Sequence, residues 1–434
     1  KIVSMATISV NMLRSLVDER ISIKVSGLPT NSPVTLHLQI KETYGSFSAF
    51  GHYMTDEAGR LDLDSSCSVG GTYTGLDSMG LFWSLKQDPS QRTGLRLLRR
   101  EAEIPLKYQL MALNGHVMWD ELAGEQKPNS GHALCSIGLE RTYLSDSVER
   151  LPIKFGRLRG ALFKPRSQRS CPPVIDLFGT GGGLMEHRSA LLAKEGFSVL
   201  ALAYFNYEDL PKELHEIDMD YFEEAVDFML ASPYSRLGPE GGLGLIGVSA
   251  GADIVANAAI LFGKKIRAVA WLNGNRCRSW FPVRYRARWL PNHFPMNVAL
   301  VKPSDRSDGL YSREACCSGC TEAQELPVEK STCRFLFLSS LDDYSMPVDT
   351  GARLAARIRR SNGQRRVDHV AYPGAGHLLE PPISPCTPLC YHGLYGLNMD
   401  YGGNSKQHHE AQVDSWCRII QLFREELDPV SARL

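Results

Sequence analysis

A chain of 434 residues with 48 basic and 48 acidic side chains has a formal net charge of zero. That balance argues against a polybasic nucleic-acid or membrane surface, while the length allows two or three domains with cores of their own. No apolar run reaches the roughly 18 to 20 residues that cross a bilayer; the opening KIVSMATISVNMLRSLVDER also lacks the apolar block of a secretory signal, so neither a span nor a signal is expected.

Residues 1–150 carry short period-two segments, among them ISIKVSGLP, PVTLHLQIKET, GRLDLD, GLFWSL and IPLKYQLMAL, with Gly, Pro, Asn and Asp between them. Such alternation without a long helical pattern predicts an antiparallel β-sandwich domain. Catalytic residue types do not gather there, so it reads as a packing or lid-supporting domain.

From about residue 155 the pattern changes. Continuous apolar runs at 159–163, 174–178, 199–204, 243–247, 268–272, 335–339 and 369–372 predict strands. Helical periodicity lies between and after them, at 184–196, 219–230, 252–263, 349–363 and 410–427. Apolar strands alternating with helices indicate a parallel sheet covered on both faces; residues 151–434 therefore read as an α/β domain. The alternation lapses between about 275 and 330, an insertion expected over the strand carboxyl ends, where α/β folds hold ligands.

Ser249 stands in Gly247-Val248-Ser249-Ala250-Gly251, between an apolar strand and an alanine-rich helix. A nucleophile elbow needs this pattern: the chain turns so sharply that the serine takes a strained conformation and its neighbours must be small. A plain Gly-Ser loop is the competing reading of the pentapeptide alone.

An acyl-transfer serine needs a base, and the base an orienting carboxylate. In α/β-hydrolases both follow the serine in the chain, acid before histidine. After the strand FLFLSS come Asp342 and Asp343; Asp343 is preferred because Met346 and Pro347 follow it by three and four residues, and Asp342 stays open. His377 follows the next strand in the glycine-rich turn Gly374-Ala375-Gly376. An oxyanion hole needs two backbone N–H groups. Ala250 supplies one, and the loop Gly179-Thr180-Gly181-Gly182-Gly183 after an earlier strand is the candidate source of the other. As a phosphate cradle this loop lacks both the Gly-Lys-Ser/Thr of a P-loop and the G-x-G-x-x-G spacing.

Eleven cysteines, an odd number, fit a reducing compartment. Cys316, Cys317 and Cys320, with Cys333 beyond, suggest half a zinc site, but no second close pair follows at finger-like spacing. A surface loop of free thiols is the preferred reading, and no metal or cofactor is expected.

With these residues in place, the chain resembles the type I acyl-CoA thioesterase and bile acid-CoA:amino acid N-acyltransferase family. The likeness spans SGLPTNSPVTL and GTYTGLDSMGLFWSL in the first half. In the second it spans DLFGTGGGLMEHRSALLAKEGFSVLALAYFNYEDLP, YFEEAVDFML, AYPGAGHLLEPP and EAQVDSW. It implies an α/β-hydrolase domain preceded by an N-terminal β-sandwich, and a triad of Ser249, Asp343 and His377. It also implies an acyl-CoA substrate whose acyl group passes through Ser249 to water. Conjugation to glycine or taurine is the alternative, which a cysteine nucleophile would favour, and a silent ligand carrier is a third reading. Ala250, Asp253 and the CCSGC segment depart from the family pattern.

The final Ala432-Arg433-Leu434 matches the small–basic–leucine form of a peroxisomal address. Import by its receptor is the expectation, a cytoplasmic location the alternative, and a monomer is expected. Trp271, Trp280 and Trp289 are candidates to line an acyl pocket. Arg276, Arg278, Arg284, Arg286 and Arg288 are candidates for CoA only by position.

Overall fold

The computed structural model describes residues 5–89, 91–119, 133–291, 293–361 and 367–428. They fall into two units, one drawn from 1–99, 103–143 and 382–387, the other from 100–102, 144–381 and 388–434.

The first unit is built from two sheets, as the alternation predicts. One joins Thr7–Val10, Ile23–Ser26 and Leu61–Asp62; the larger one centres on Pro33–Glu42, Gly45–Met54, Leu106–Asn114 and Ala133–Thr142. The pairings among these are antiparallel, but Arg14–Leu16 runs parallel to Ala133–Thr142. Buried Arg141 binds that edge, its Nη2 donating to the carbonyls of Leu16, Val17 and Glu19. One expected strand is overturned: within GLFWSL, Gly80–Trp83 is a single turn of helix with all four residues buried. Asp77 sets the turn by accepting from Met79 N at 2.9 Å and Trp83 Nε1 at 2.9 Å. A run buried on every side lacks the alternation that would make it a strand.

The second unit holds an eight-stranded sheet. Its strands are β1 (Val148–Phe155), β2 (Leu158–Pro165), β3 (Pro173–Leu177), β4 (Ser198–Ala203), β5 (Leu243–Val248), β6 (Ile266–Leu272), β7 (Arg334–Ser340) and β8 (Val367–Tyr372). Their spatial order is β1-β2-β4-β3-β5-β6-β7-β8. From β4 to β8 the pairings are parallel. The run 159–163 departs from the all-parallel expectation, because β2 is antiparallel to both β1 and β4.

Five helices cover the sheet: α1 (His187–Lys194), α2 (Met219–Ala231), α3 (Ala250–Leu261), α4 (Thr350–Ser361) and α5 (Ser405–Leu427). Strand periodicity sorts them by face, since alternate residues point to opposite sides. Ile175, Leu177, Leu245, Val269, Trp271, Phe335 and Phe337 join one apolar cluster with Phe222, Val226, Val255, Leu354 and Ile358, which places α2, α3 and α4 on that face. The intervening positions face α1 and α5: Asp176 pairs with Arg188 of α1, and a Cβ on Gly244 would lie 2.7 Å from Phe423 of α5. Among the described residues no helix is long and apolar enough to cross a membrane.

Phe423 is fully buried and packs edge-on against Phe197 with ring centroids 5.9 Å apart. Phe423→Ala leaves a cavity beneath β5 and is expected to cost about 3–5 kcal/mol of stability, read as a lower denaturant midpoint for the second unit; an unchanged midpoint would contradict this packing.

Candidate active site

Four loops at the carboxyl ends of β3, β5, β7 and β8 build the site. At the end of β5 the chain turns directly into α3, and Ser249 takes φ 57° and ψ −129°. A positive φ costs an L-residue steric energy, so surrounding packing must impose it. Here the packing is close. A Cβ on Gly247 would overlap the Gly251 carbonyl, and one on Gly251 would lie 2.7 Å from Phe178 O. Ser249 N–H donates to Leu272 O at 3.0 Å, anchoring the turn on β6, and Ser249 O accepts from Ala252 N at 2.9 Å. Ala250, the first residue of α3, has no intrahelical acceptor for its N–H, and the helix adds a partial positive charge there.

The β7 and β8 loops meet through a buried pair. His377 Nδ1 donates to Asp343 Oδ2 at 2.7 Å, with both side chains almost wholly buried. Asp343 Oδ1 accepts from Ser345 N at 2.7 Å and Met346 N at 2.8 Å, so both carboxylate oxygens are satisfied. Asp342 instead pairs with Arg306 Nη1 at 2.8 Å and accepts from Gly403 N at 3.0 Å. Backbone bonds hold the imidazole in place. His377 N–H donates to Tyr401 O at 2.8 Å, and His377 O accepts from Asn273 Nδ2 at 2.7 Å.

The glycine loop after β3 divides in two. Gly179 passes beside the serine, where an added Cβ would lie 2.8 Å from Ser249 Cβ. Thr180 lines the same cavity as Ser249. Gly182 and Gly183 turn away with φ of 60° and 76°. Gly183 is corrected as an oxyanion candidate, because its N–H already donates to Phe205 O at 2.9 Å. Gly182 and Gly181 offer their carbonyls to Arg100, at 2.8 and 3.5 Å. Tyr204 Oη holds the loop's root by donating to Phe178 O at 2.8 Å and Gly179 O at 3.1 Å.

Ser249 and His377 line one small cavity of about 20 Å³ together with Thr180, Trp280, Met296 and Ser312. That volume holds about one water molecule. His392, Tyr395, Met399 and Tyr401 close another side, and sequence reasoning missed all four. His392, Tyr395 and Met399 belong to a hairpin of Leu389–His392 and Leu397–Asp400, which Tyr401 directly follows, held in a four-stranded sheet with Lys302–Pro303 and Leu310–Tyr311. Only histidine near aromatics marked them in the sequence, a pattern with many ordinary explanations. His392 Nε2 lies 2.8 Å from Thr180 Oγ1, which ties this hairpin to the glycine loop.

Other candidates disperse. Trp271 is core, Trp280 lines the cavity, and Trp289 is 60% exposed. Arg276 lies near Glu325 and Asp349, Arg284 pairs with Glu216 and Asp218, and Arg286 approaches Glu223. Arg278 is buried and donates to Asn257 Oδ1 and Pro291 O, while Arg288 is exposed. Asp253 is buried, its carboxyl pushed well above the ordinary 3.8 by burial while it accepts from Asn275 N at 2.6 Å. The surface-loop reading of the cysteines is overturned: Cys316 and Cys317 are buried and Cys320 is half-buried. They pack with Cys277 and Met346 because the segment folds inward over the site. Among the described residues no group of three or more His, Cys, Asp or Glu is arranged to hold a metal. Ala432, Arg433 and Leu434 lie outside the described residues.

A serine at a strand-to-helix elbow, on a sheet of this order and with a buried Asp–His pair on later loops, defines the α/β-hydrolase class. Residues 217–429 match the family described as BAAT / Acyl-CoA thioester hydrolase C terminal, and residues 18–155 match Acyl-CoA thioester hydrolase/BAAT N-terminal region. Acyl-coenzyme A thioesterase 1 of Homo sapiens is 36% identical over 415 residues, 94% of either chain. The peroxisomal succinyl-coenzyme A thioesterase of Mus musculus is 35% identical over 434 residues, covering 99% of this chain and 98% of that one. Acyl-coenzyme A thioesterase 2, mitochondrial, of Rattus norvegicus is 37% identical over 418 residues, 95% of this chain and 88% of its own. The chain belongs to the acyl-CoA thioester hydrolase/BAAT family.

Burial, reinforced by the neighbouring His377, lowers His392 from the ordinary 6.5 to about 4. In the unfolded chain this ring takes up a proton near pH 6.5, whereas in the folded protein it stays neutral until about pH 4. The unfolded state therefore binds more protons between those values, and stability falls as pH drops through that window. His392→Gln is expected to lessen the fall in urea midpoint between pH 7 and 4.5; an identical fall would contradict the assignment.

Proposed function

We propose that this protein hydrolyses acyl-CoA thioesters through an acyl-serine intermediate. One observation carries the reading: Ser249, at the elbow, and His377, held by Asp343, line the same cavity. The names of the family relatives give the substrate class.

In the first step His377 Nε2 takes the Ser249 proton as the oxygen attacks the thioester carbonyl. Asp343 holds the ring with Nε2 free and stabilises the imidazolium that forms. Negative charge on the carbonyl oxygen rests on the Ala250 N–H and the N–H groups of the Gly179–Thr180 turn, which need no reorganisation as charge develops. CoA leaves as the thiol with the proton held by His377, and a water activated by the same ring releases the acid. A serine ester suits this end: amines attack oxygen esters less readily than thioesters, so water is the acceptor the nucleophile favours.

The expected kinetic pattern separates the aspartates. Ser249→Ala abolishes acyl-CoA turnover, Asp343→Asn lowers kcat by about 10⁴, and Asp342→Asn retains most activity. Glycine or taurine added to the wild-type assay leaves free acid as the product. Turnover that survives Ser249→Ala, or a dominant amide product, would overturn the proposal.

The acyl chain needs more room than the catalytic cavity has. A second cavity of about 680 Å³ is lined by Tyr204, Phe205, Leu210, Leu214, Ile217 and Phe222. Its wall includes the tyrosine that holds the glycine loop, and its volume suits a ligand of fatty-acyl size. On this reading Leu214→Trp lowers kcat/KM for long acyl-CoAs by about tenfold or more relative to short ones; an equal effect on both would place the chain elsewhere. Peroxisomal import, expected from the final tripeptide, agrees with the name of one relative and differs from the mitochondrial name of another.

A further inference from the structure

The insertion brings three thiols together where the mechanism uses none of them. Cys277 Sγ lies 2.8 Å from Cys320 Sγ and 4.0 Å from Cys317 Sγ. Cys277 is fully buried, whereas Cys320 is half-buried and follows the exposed Ser318 and Gly319. The Arg276 guanidinium donates to Cys317 O at 3.2 Å.

These sulfurs sit in the cover of the catalytic cavity. Cys277, Cys316, Cys317 and Met346 form one apolar cluster against which Trp280, Phe294 and Met296 pack. Trp280, Met296 and Met346 line the cavity beside Ser249. The cluster is also tied to the catalytic loops. Cys316 Sγ donates to Ser345 O at 3.0 Å, and Cys317 Sγ donates to Asn275 Oδ1 at 2.5 Å. A cavity of about 20 Å³ is smaller than an acyl thioester, so a cover held shut here would limit access to Ser249. This last step rests on the proposed thioesterase reading.

We propose that Cys277 and Cys320 are a peroxide-reactive dithiol whose disulfide fastens the cover over the catalytic serine. The Cys320 thiol loses its proton and attacks one oxygen of hydrogen peroxide; the O–O bond breaks, a sulfenic acid forms, and the other oxygen takes up that proton and leaves as water. Cys277 sulfur then attacks the sulfenic sulfur. The S–O bond breaks, and the hydroxyl departs as water with the Cys277 proton. Two thiols and one peroxide thus give one disulfide and two waters. Reaching a bond of about 2.05 Å from 2.8 Å requires the sulfurs to approach by only about 0.8 Å. A thiol then reverses the reaction by exchange.

The test uses the full chain with exposed Cys67 and Cys417 replaced by serine, so that these competitors are removed. After treatment with stoichiometric hydrogen peroxide, peptide mapping is expected to find a Cys277–Cys320 disulfide. The rate at which a fluorophosphonate labels Ser249 should fall about fivefold or more, as for a closed cover, and recover with dithiothreitol. Cys320→Ser should keep its labelling rate after peroxide; if that variant misfolds, Cys320→Ala serves instead. No intramolecular disulfide, a bond between another pair, or unchanged labelling of the mapped disulfide form would overturn the proposal. Serine labelling needs no acyl-CoA, so failure of the thioesterase reading appears separately, as reduced protein that labels but does not turn over substrate.

Discussion

The catalytic region depends on how closely β5 and α3 pack against the end of β3. Gly247 and Gly251 leave no space for a side-chain carbon, and the backbone there meets the carbonyl region of Leu177 and Phe178. That contact forces Ser249 into its positive φ and also fixes where the glycine loop begins. The proposed nucleophile and the candidate oxyanion donors are thus positioned by one contact. Beneath it, buried Arg188 binds Asp176 and donates to Leu177 O at 3.0 Å, securing the strand end from which the loop springs. Interiors at crystal-like density transmit such constraints because they lack free volume to absorb them.

The Asp343–His377 pair shows how a buried carboxyl group is satisfied and aimed. An isolated carboxylate this far from water would be costly. Two loop N–H groups on one oxygen and an imidazole on the other satisfy it, and also fix its direction. Asp342, one residue earlier, faces Arg306 and Gly403 instead. Identical chemistry one position apart thus meets a different environment.

This contrast explains what could be read from the chain. The strands of the second unit were legible because burial on both faces leaves uninterrupted apolar runs, as in LGLIGV. Ser249 and His377 could be singled out as candidates because the turns that carry them are built of small residues visible in sequence. Strand β1 was missed because VERLPIKF is mostly half-buried or exposed and has no clear alternation. The hairpin carrying His392 was missed for another reason. Its position depends on distant partners: Asp400 accepts from Ser304 Oγ at 2.5 Å and Ser307 Oγ at 2.7 Å, almost a hundred residues away. No local pattern encodes such pairing. The cysteines were misplaced likewise, because CCSGC looks like an exposed turn until Trp280, Phe294 and Met296 fold over it.

Among the described residues the first unit gathers no comparable set of groups, and its Arg141 serves to bind backbone carbonyls. The chemical account therefore stands on covalent transfer at Ser249. It is tested most directly by acid-quenching wild-type protein during turnover of a long-chain acyl-CoA and measuring peptide masses. The account predicts an increment equal to the acyl group on the peptide containing Ser249, and on no other serine. Steady hydrolysis without that adduct, under conditions where deacylation limits the rate, or an acyl group on a cysteine, would contradict it.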